Sequence, residues 1–388
     1  MTTNYFNQAL HFINDHEYKT TPQENLSKLI RKKFAHWPLP LIGLVCEQEE
    51  LRQKASQKFK KASQMIFTRK GLEQSTSETI SNITASLFSK KSEVLEVCSG
   101  IGGNSIGLKN NFENLTTVEP DPILNEVHNH NLNLYYPDNQ IKRIHSELKC
   151  DHLKPYPCIF IDPDRRATGS RSSLMKDHSP DVKMIFENCN ENQEVIFKFS
   201  PMLNSSETIA GYKYLYLADE MDLKQNLWYS QSLDFIKINF AIHFANEVFS
   251  NQNFPVNTKL LSKNECIYEM NPAIIKAGET YKVAQHFELE PLLNSQKHYI
   301  GAAKSIYPFA TTWEVIAKET YHPKKITEFL KAQSFERFDF KPNGIDEKET
   351  KNLISKWGKG QGKAGTVFIF KNKDFKQIYL TNKISLNE

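Results

Sequence analysis

The sequence predicts an α/β fold with a doubly wound parallel sheet, preceded by a helical region and followed by small α+β modules. Two observations support this prediction. Strand-like and helix-like segments alternate from Glu93 to about residue 220, and the first strand-like segment runs directly into a glycine-rich turn. Such alternation is typical of parallel sheets covered by helices, whose ligands bind beyond the carboxyl ends of the strands. We therefore expect a binding crevice at that edge of the sheet.

The elements of the sheet are predicted by short apolar runs that are separated by helical patterns. The strand-like runs are EVLEVC, NLTTVEP, QIKRIHS, CIFID, EVIFKFS and YKYLYLADE. The helical segments between them are GGNSIGLKNN, DPILNEVHNHNLNLY and SPDVKMIFENCN. In the final segment, HPKKITEFLKAQ predicts a helix, and TVFIF and QIYLTN predict strands.

Changes in this rhythm divide the chain into four predicted domains. Residues 1–85 form a helical region that is basic in places, as in NLSKLIRKKFAHW, and residues 86–235 form the sheet domain. Residues 236–315 mix strand and helix signals whose topology the pattern leaves open. Residues 316–388 form a C-terminal domain.

Composition and charge exclude several classes of protein. The net charge of +4 does not by itself require a nucleic-acid partner, although seven lysines face one acid, Asp374, between Lys351 and Lys376. Within that basic stretch, Lys356, Lys359 and Lys363 are candidate phosphate ligands. The six cysteines include no C-x-x-C pair, which argues against structural zinc or a disulfide framework. Without a signal peptide or a long apolar run, we expect a cytoplasmic protein with neither a membrane span nor a metal site.

The glycine-rich turn LEVCSGIGGNSIG is the strongest indication of a ligand. A dinucleotide fingerprint counted from Gly100 would need a third glycine where Ser105 stands. The pattern acid-x-x-x-Gly-x-Gly of S-adenosylmethionine enzymes fits from Glu96 to Gly102, and the acid suits the cationic end of that cofactor. Glu119 ends the second strand and is placed to accept hydrogen bonds from ribose hydroxyls, which would serve NAD equally well. A turn that binds no ligand is the remaining alternative.

Other candidate residues follow the third and fifth strands and lie within the second helix. Ser146 and Glu147 are where a contact to an adenine edge would fall. Lys198 ends the fifth strand near the same crevice. His128 is interpreted as a solvated helix residue, as is His130.

The fourth strand ends in an unusual group of charged residues, Asp162-Pro163-Asp164-Arg165-Arg166. Enzymes that methylate exocyclic nitrogens commonly carry Asp/Asn-Pro-Pro-aromatic here, where the acid and a backbone carbonyl hold the amine. Asp162 and Pro163 fit that pattern and are the candidate catalytic residues, but the aromatic residue is missing. The two arginines either bind a phosphate or carboxylate of the substrate, or pair with the neighbouring acids.

Several segments together resemble a bacterial family of class I S-adenosylmethionine-dependent methyltransferase-like proteins with a THUMP-like C-terminal domain. The segments are FTRKGLEQSTSETISNITASLF, EVCSGIGGNSIGL, IDPDRR, FKFSPML, CIYEMNPAIIKAG and KWGKGQGKAGTVFIF, and they span most of the chain. The resemblance implies a Rossmann-like class I methyltransferase sheet, S-adenosyl-L-methionine as cofactor, and Asp-Pro-x-Arg-Arg after strand four. It also implies a ferredoxin-like module within residues 236–315 and a C-terminal domain similar to RNA-binding modules.

The resemblance further implies that the segment from Leu72 to Thr76 packs over the cofactor, with Gln74 or Thr76 touching it. A helix capped by Ser77 explains the same segment without a ligand.

The leading functional hypothesis is a methyltransferase that acts on structured RNA, either tRNA or rRNA. The alternatives are a non-catalytic RNA-binding protein that keeps the fold, a methyltransferase on a small molecule or protein, and a nicotinamide-dependent oxidoreductase, which Ser105 disfavours.

Overall fold

The structure is a computed structural model that describes most of the chain. The described residues are 3–14, 18, 23–138, 141–165, 173–204, 206–207, 209–233, 236, 238–244, 247–252, 265–293, 295–302 and 308–384. The chain forms two compact units, Met1–Tyr214 with Asn226–Ile236, and Leu215–Gln225 with Lys237–Glu388. These two units are larger than the four predicted domains, whose limits stay a prediction.

The first unit is built around a mainly parallel sheet. Its strands are β1 (Glu93–Val97), β2 (Asn114–Val118), β3 (Lys142–Ile144), β4 (Cys158–Ile161) and β5 (Glu194–Phe199), together with residues 226–230 of β7 (Asp222–Ser230). Strand β6 (Tyr212–Asp219) comes before β7 in the chain, and its residues 215–219 belong to the second unit. The order is β3-β2-β1-β4-β5-β7. The first five strands are parallel, and β7 pairs antiparallel with β5 through its residues 226–229. The predicted α/β fold class is confirmed.

The sequence explains why the central strands lie where they do. In β4 all four residues are buried, and in β5 five of six are buried. Continuous apolar runs of this kind are typical of parallel strands that are covered on both faces. All six predicted strands are present, whereas β7 was not predicted.

Helices flank this sheet and precede it. They are α1 (Thr3–Ile13), α2 (Gln23–Lys33), α3 (Leu39–Ala55), α4 (Arg69–Gln74), α5 (Glu78–Ser86), α6 (Gly103–Asn111), α7 (Pro122–Tyr135), α8 (Cys150–Leu153) and α9 (Val182–Asn188). Short polar side chains begin four of them by accepting backbone N–H groups of the first turn, namely Thr68, Ser77, Asp121 and Asp181. Such caps satisfy donors that the helix itself cannot pair. The predicted helix start at Ser77 is confirmed.

Helix α5 packs unusually closely against α6. A Cβ atom added to Gly107 would lie 2.2 Å from Ser81 Oγ. Ser81 Oγ also donates to the carbonyl of Asn104 at 2.8 Å and accepts from the N–H of Gly107 at 2.9 Å. Only glycine allows this approach, so the segment before the sheet is fixed directly to the helix that follows the glycine turn.

The second unit is dominated by a seven-stranded sheet. Its elements and those near it are β8 (Phe240–Phe244), β9 (Glu247–Ser250), β10 (Glu265–Met270), α10 (Pro272–Ala277), α11 (Thr280–His286), β11 (Glu290–Pro291), β12 (His298–Ala302), β13 (Ala310–Thr320), α12 (Ile326–Lys331), β14 (Arg337–Asn343), α13 (Glu347–Trp357), β15 (Ala364–Lys371) and β16 (Lys376–Lys383). The order is β11-β12-β10-β13-β16-β15-β14. Its pairs are antiparallel except for β14 with β15. The predicted C-terminal helix and both predicted strands are confirmed as α12, β15 and β16.

Strand β8 pairs with residues 216–219 of β6 in parallel and with β9 in antiparallel. Among the described helices, none is long and apolar enough to cross a lipid bilayer. The described residues also contain no cluster of three His, Cys, Asp or Glu side chains that could hold a metal ion.

Candidate active site

A cavity of about 810 Å³ opens at the carboxyl ends of the parallel strands in the first unit. Its walls are formed by the segments that follow β1, β2 and β4, together with α4 and the residues that lead into α9. Parallel α/β sheets bind their ligands at this edge, because the ends of adjacent strands converge there. The predicted crevice is therefore present in the structure.

The glycine turn after β1 forms one wall. Gly100 has φ +53°, and a Cβ atom added there would meet nothing within 4 Å. Gly100 N–H donates to Glu119 Oε2 at 3.0 Å, and Asp121 N–H donates to Glu119 Oε1 at 3.1 Å. Glu119 lies in the wall and is 6% exposed, and burial raises the pKa of its carboxyl group. The structure thus joins two predicted cofactor residues by a direct hydrogen bond.

Two further predicted cofactor residues, Gly102 and Glu96, do not line the cavity. Gly102 has φ +94° and packs against Leu132, whose Cδ2 would lie 2.3 Å from an added Cβ atom. Glu96 is fully buried and does not line the cavity. Its carboxylate accepts a hydrogen bond from Ser105 Oγ, whereas Oε1 has no hydrogen-bond partner within the described residues. Burial is the main cause that raises the pKa of Glu96 to about 8.

Asp162 also lies in the wall of the cavity, at the end of β4, the neighbour of β1 in the sheet. Its Oδ2 atom accepts from Lys198 Nζ at 2.5 Å and from Asn104 Nδ2 at 3.0 Å. Pro163 also lines the cavity and is buried. Lys198 is not in the wall, but its ammonium group compensates the charge of the Asp162 carboxylate.

The remaining residues of the group after β4 have separate partners. Asp164 accepts from Lys70 Nζ at 2.7 Å and from Gln74 Nε2 at 3.2 Å. Arg165 Nη1 donates to Ser200 Oγ, so this guanidinium group is bonded to a hydroxyl group at the end of β5. Arg166 lies outside the described residues.

Ser146 and Thr76, like Glu96 and Gly102, do not line the cavity, whereas their neighbours do. Ser146 is half-buried and donates to the carbonyl of Glu147 at 3.0 Å, and it is Glu147 that lines the cavity. Thr76 is 6% exposed, and its backbone oxygen would lie 2.9 Å from a Cβ atom on Gly103. Gln74 does line the cavity. Of each predicted pair of alternatives, Gln74 and Glu147 are thus the members that line the cavity, and their contact with a cofactor stays a prediction.

The predicted C-terminal lysines belong to the second unit. Lys356, Lys359 and Lys363 are exposed, at the end of α13 and in the loop that leads to β15. Lys356 Nζ lies 5.6 Å from the ring centroid of Trp357. The aromatic residues Phe368 and Phe370, which follow in the sequence, are completely buried and cannot stack on a base.

Sequence reasoning missed or misread several residues at this edge of the sheet. Asn104 and Lys70 line the cavity and bond to the acids after β4, although neither was singled out. Asn104 follows the third glycine of the GIGG run, which is the one signal that could have identified it. His128 was interpreted as solvated but is 1% exposed, because its face of α7 packs against the glycine turn. His130 is half-buried and bonded to the Gln64 carbonyl at 3.0 Å.

Comparison with known proteins agrees with this geometry. Residues 91–231, just over a third of the chain, match the family model described as RNA cap guanine-N2 methyltransferase. No curated protein matches the sequence. A candidate methyltransferase from Porphyromonas gingivalis W83, known from a crystal structure, is 18% identical with a TM-score of 0.72. That match covers 98% of this chain and 99% of the other.

Two further solved structures align with shorter parts of the chain. The ribosomal protein L11 methylase of Lactobacillus delbrueckii subsp. bulgaricus covers 31% of this chain and 56% of its own, at 15% identity and a TM-score of 0.24. The candidate methyltransferase YhhF of Escherichia coli covers 40% and 84%, at 16% identity and a TM-score of 0.29. Scores this low add nothing to the assignment. The shared fold over nearly the whole chain and the family-model match over the sheet indicate a methyltransferase with a Rossmann-like fold.

Proposed function

We propose that the protein transfers a methyl group from S-adenosyl-L-methionine to structured RNA. The observation that carries the proposal is that one cavity contains both the Gly100–Glu119 pair and the carboxylate of Asp162. A nucleoside cofactor bound at the Gly100–Glu119 pair and a nucleophile bound at Asp162 would lie side by side. Methyl transfer from a sulfonium gains chiefly from such alignment of donor and acceptor.

The cavity suits this cofactor in size and in donor set. A volume of about 810 Å³ lies within the range of pockets that enclose ligands of this size. Each oxygen of Glu119 accepts one backbone N–H and keeps a lone pair for a ribose hydroxyl. Ile123, Leu124 and Leu148 provide an apolar wall for the adenine, with Glu147 beside them. We assign these residues and Gln74, which also lines the cavity, to the cofactor-binding site.

Asp162 is proposed to hold the acceptor. When bound, the cofactor supplies an activated methyl group on a cationic sulfur. The bonds from Lys198 and Asn104 both go to Oδ2, so among the described residues Oδ1 remains available to orient an amine or hydroxyl group and to take its proton. The carbonyl group of Pro163 is a second acceptor for the same group. Arg165 and Arg166 are proposed to bind phosphate groups of the substrate beside it.

RNA is proposed as substrate for two reasons. The matched family model is described by a reaction on RNA. In addition, three exposed lysines at positions 356, 359 and 363 form a basic run that suits phosphate groups. We propose that residues 316–388, which resemble THUMP modules in sequence, bind the RNA, while residues 86–235 carry out the transfer.

The test combines ligand binding with methyl transfer. Calorimetric titration with S-adenosylhomocysteine and with NAD should show micromolar binding of the first and none of the second. Incubation with tritium-methyl S-adenosylmethionine and total cellular RNA should give label that ribonuclease releases. Asp162→Asn should keep the binding and lose at least a hundredfold of the transfer, whereas Asp151→Asn, at an exposed position of α8, should change neither.

The outcomes of this test distinguish the proposed function from its alternatives. Binding of NAD but not of S-adenosylhomocysteine would overturn the proposed cofactor. Label that protease but not ribonuclease releases would overturn the RNA substrate. Retention of RNA binding by a wild-type protein that transfers no methyl group would favour the non-catalytic alternative.

A further inference from the structure

A chain of hydrogen bonds lies beneath the glycine turn, outside the cavity. Arg143 Nε lies 3.5 Å from His128 Nδ1, and His128 Nε2 lies 2.8 Å from Ser105 Oγ. Ser105 Oγ is bonded in turn to Glu96 Oε2. His128, Ser105 and Glu96 are at most 1% exposed, and none of the four residues lines the cavity. These polar groups therefore cannot contact a ligand there directly.

The chemistry of the groups fixes the direction of each bond. A guanidinium group only donates, so His128 Nδ1 accepts from Arg143. Burial lowers the pKa of His128 to about 3, so the imidazole is neutral and carries its hydrogen on Nε2. That hydrogen is donated to Ser105, whose own hydrogen is donated to Glu96. Each group in this series of hydrogen bonds therefore has the donor or acceptor that its neighbour needs. The tautomer of His128 determines that donation runs from Arg143 towards Glu96.

Helix α7 also supports the turn through contacts other than these hydrogen bonds. A Cβ atom on Gly102 would lie 3.3 Å from Cδ2 of His128, so the imidazole packs directly beneath Gly102. Asn131, one helical turn further on, donates from Nδ2 to the carbonyl of Ile101 at 3.0 Å. The backbone that presents Gly100 to the cavity therefore rests on two side chains of α7.

Building on the proposed function, we propose that His128 is a positioning residue for the methyl donor. Through Ser105 it holds the carboxyl group of Glu96, and through Gly102 it holds the turn whose Gly100 N–H is bonded to Glu119. Loss of the imidazole releases both restraints. The turn then no longer presents Glu119 to the ribose in one fixed position, so the cofactor binds less tightly although no atom that touches it has changed.

The test is a double-mutant cycle on cofactor affinity. S-adenosylhomocysteine is titrated into the wild type, His128→Leu, Ser105→Ala and the double variant. Each single variant should bind about tenfold more weakly, and the double variant should be no weaker than the poorer single one, because the two residues act as one unit. In the transfer reaction, KM for S-adenosylmethionine should rise about tenfold with kcat unchanged.

Two further variants separate positioning from stability. His128→Gln keeps a donor near the position of Nε2 and should bind within about twofold of the wild type. His130→Gln alters the same helix without touching the chain and should bind as the wild type does.

Four possible results would contradict the positioning role of His128 or a part of it. Single variants that bind normally while their melting temperatures fall would show that His128 serves stability alone, and losses that add in the double variant would show that the two residues act separately. Failure of His128→Gln to recover affinity would also count against the assigned tautomer. A wild type that binds no S-adenosylhomocysteine would overturn the proposed cofactor, and this inference with it.

Discussion

Asp162 and Lys198 form a mostly buried ion pair at the carboxyl ends of two adjacent strands. Lys198 Nζ lies 2.5 Å from Asp162 Oδ2, and the side chains are 12% and 24% exposed. Because β4 and β5 are parallel neighbours, the pair links the two strand ends across the sheet edge. The pair therefore contributes to stability as well as to the geometry of the proposed acceptor site.

Removing one member of this pair should destabilise the fold more than removing both charges. Lys198→Met leaves a poorly solvated carboxylate without its cation and should lower the free energy of unfolding by about 3 kcal/mol. Combination with Asp162→Asn should recover part of that loss, since no unpaired charge remains. Urea denaturation of the wild type, both single variants and the double variant measures the effect. Equal losses in the single and double variants would contradict it.

The two glycines of the turn should respond differently to the same substitution. Both have positive φ, so Gly100→Val and Gly102→Val each incur backbone strain of about 1–2 kcal/mol. At Gly100 the new side chain meets open space in the cavity and should weaken S-adenosylhomocysteine binding more than tenfold. At Gly102 it collides with Leu132 and His128 and should lower the melting temperature much further. Similar melting temperatures for the two variants would contradict the placement of Gly102.

The C-terminal lysines should determine how RNA binding depends on salt. Replacing Lys356, Lys359 and Lys363 by glutamate should weaken binding, and should reduce the slope of log affinity against log salt concentration by about 2 to 3. Fluorescence anisotropy with a labelled tRNA between about 50 and 300 mM salt, over which the Debye length shortens roughly 2.5-fold, measures that slope. Lys276→Glu changes an exposed lysine elsewhere in the second unit and is the control. An unchanged slope in the triple variant would rule out phosphate contacts by these residues.

Stability should fall as the pH rises from 6.5 to 8. The pKa of Glu96 is about 8 in the folded protein against an ordinary value of 4.5. Between these values the folded protein keeps a proton that the unfolded chain releases, so a rise in pH favours unfolding, by about 1.4 kcal/mol per pH unit. Burial of Glu119 acts in the same direction.

His128 determines the lower limit of that pH window. Its pKa is about 3 against an ordinary 6.5, so its contribution to stability is complete above pH 6.5 and is lost as the pH falls towards 3. Above pH 6.5 this contribution is constant. Urea denaturation of the wild type and of Glu96→Gln at pH 6.5, 7.25 and 8 isolates the Glu96 contribution, because the glutamine cannot titrate. A difference between the two proteins that does not change with pH would refute the assignment.

The sequence was sufficient to predict the parallel core of the sheet, but not the strand that follows the point where the chain reverses direction. Short apolar runs such as CIFID between helical patterns are typical of strands buried on both faces, and this pattern predicted the central strands β4 and β5. Strand β7 was missed because none of its first three residues is buried and two of them, Asp222 and Lys224, are charged, and because it follows β6 after only Glu220 and Met221. A strand whose two ends have different surroundings lacks a single period along its length.

At the candidate site, the sequence identified positions at strand ends but not the side chains that support them. Gly100, Glu119 and Asp162 end neighbouring strands, so topology alone brings them together. Which of Ser146 and Glu147 lines the cavity depends on how that loop is oriented, and periodicity carries no such information. The buried state of His128 was missed for a similar reason, since a polar residue on a helix gives no sign of which face is covered.

The contact of Asp164 with Lys70 and Gln74 bears on when the cavity comes into existence. Lys70 and Gln74 lie 94 and 90 residues before Asp164 in the chain. During synthesis, α4 leaves the ribosome well before the strand whose end it will meet, so the cavity has no second wall until the residues up to Asp164 have emerged. A ligand that bridges the two walls would then act as a reporter of completed folding, because it can bind only to chains in which distant segments have already met.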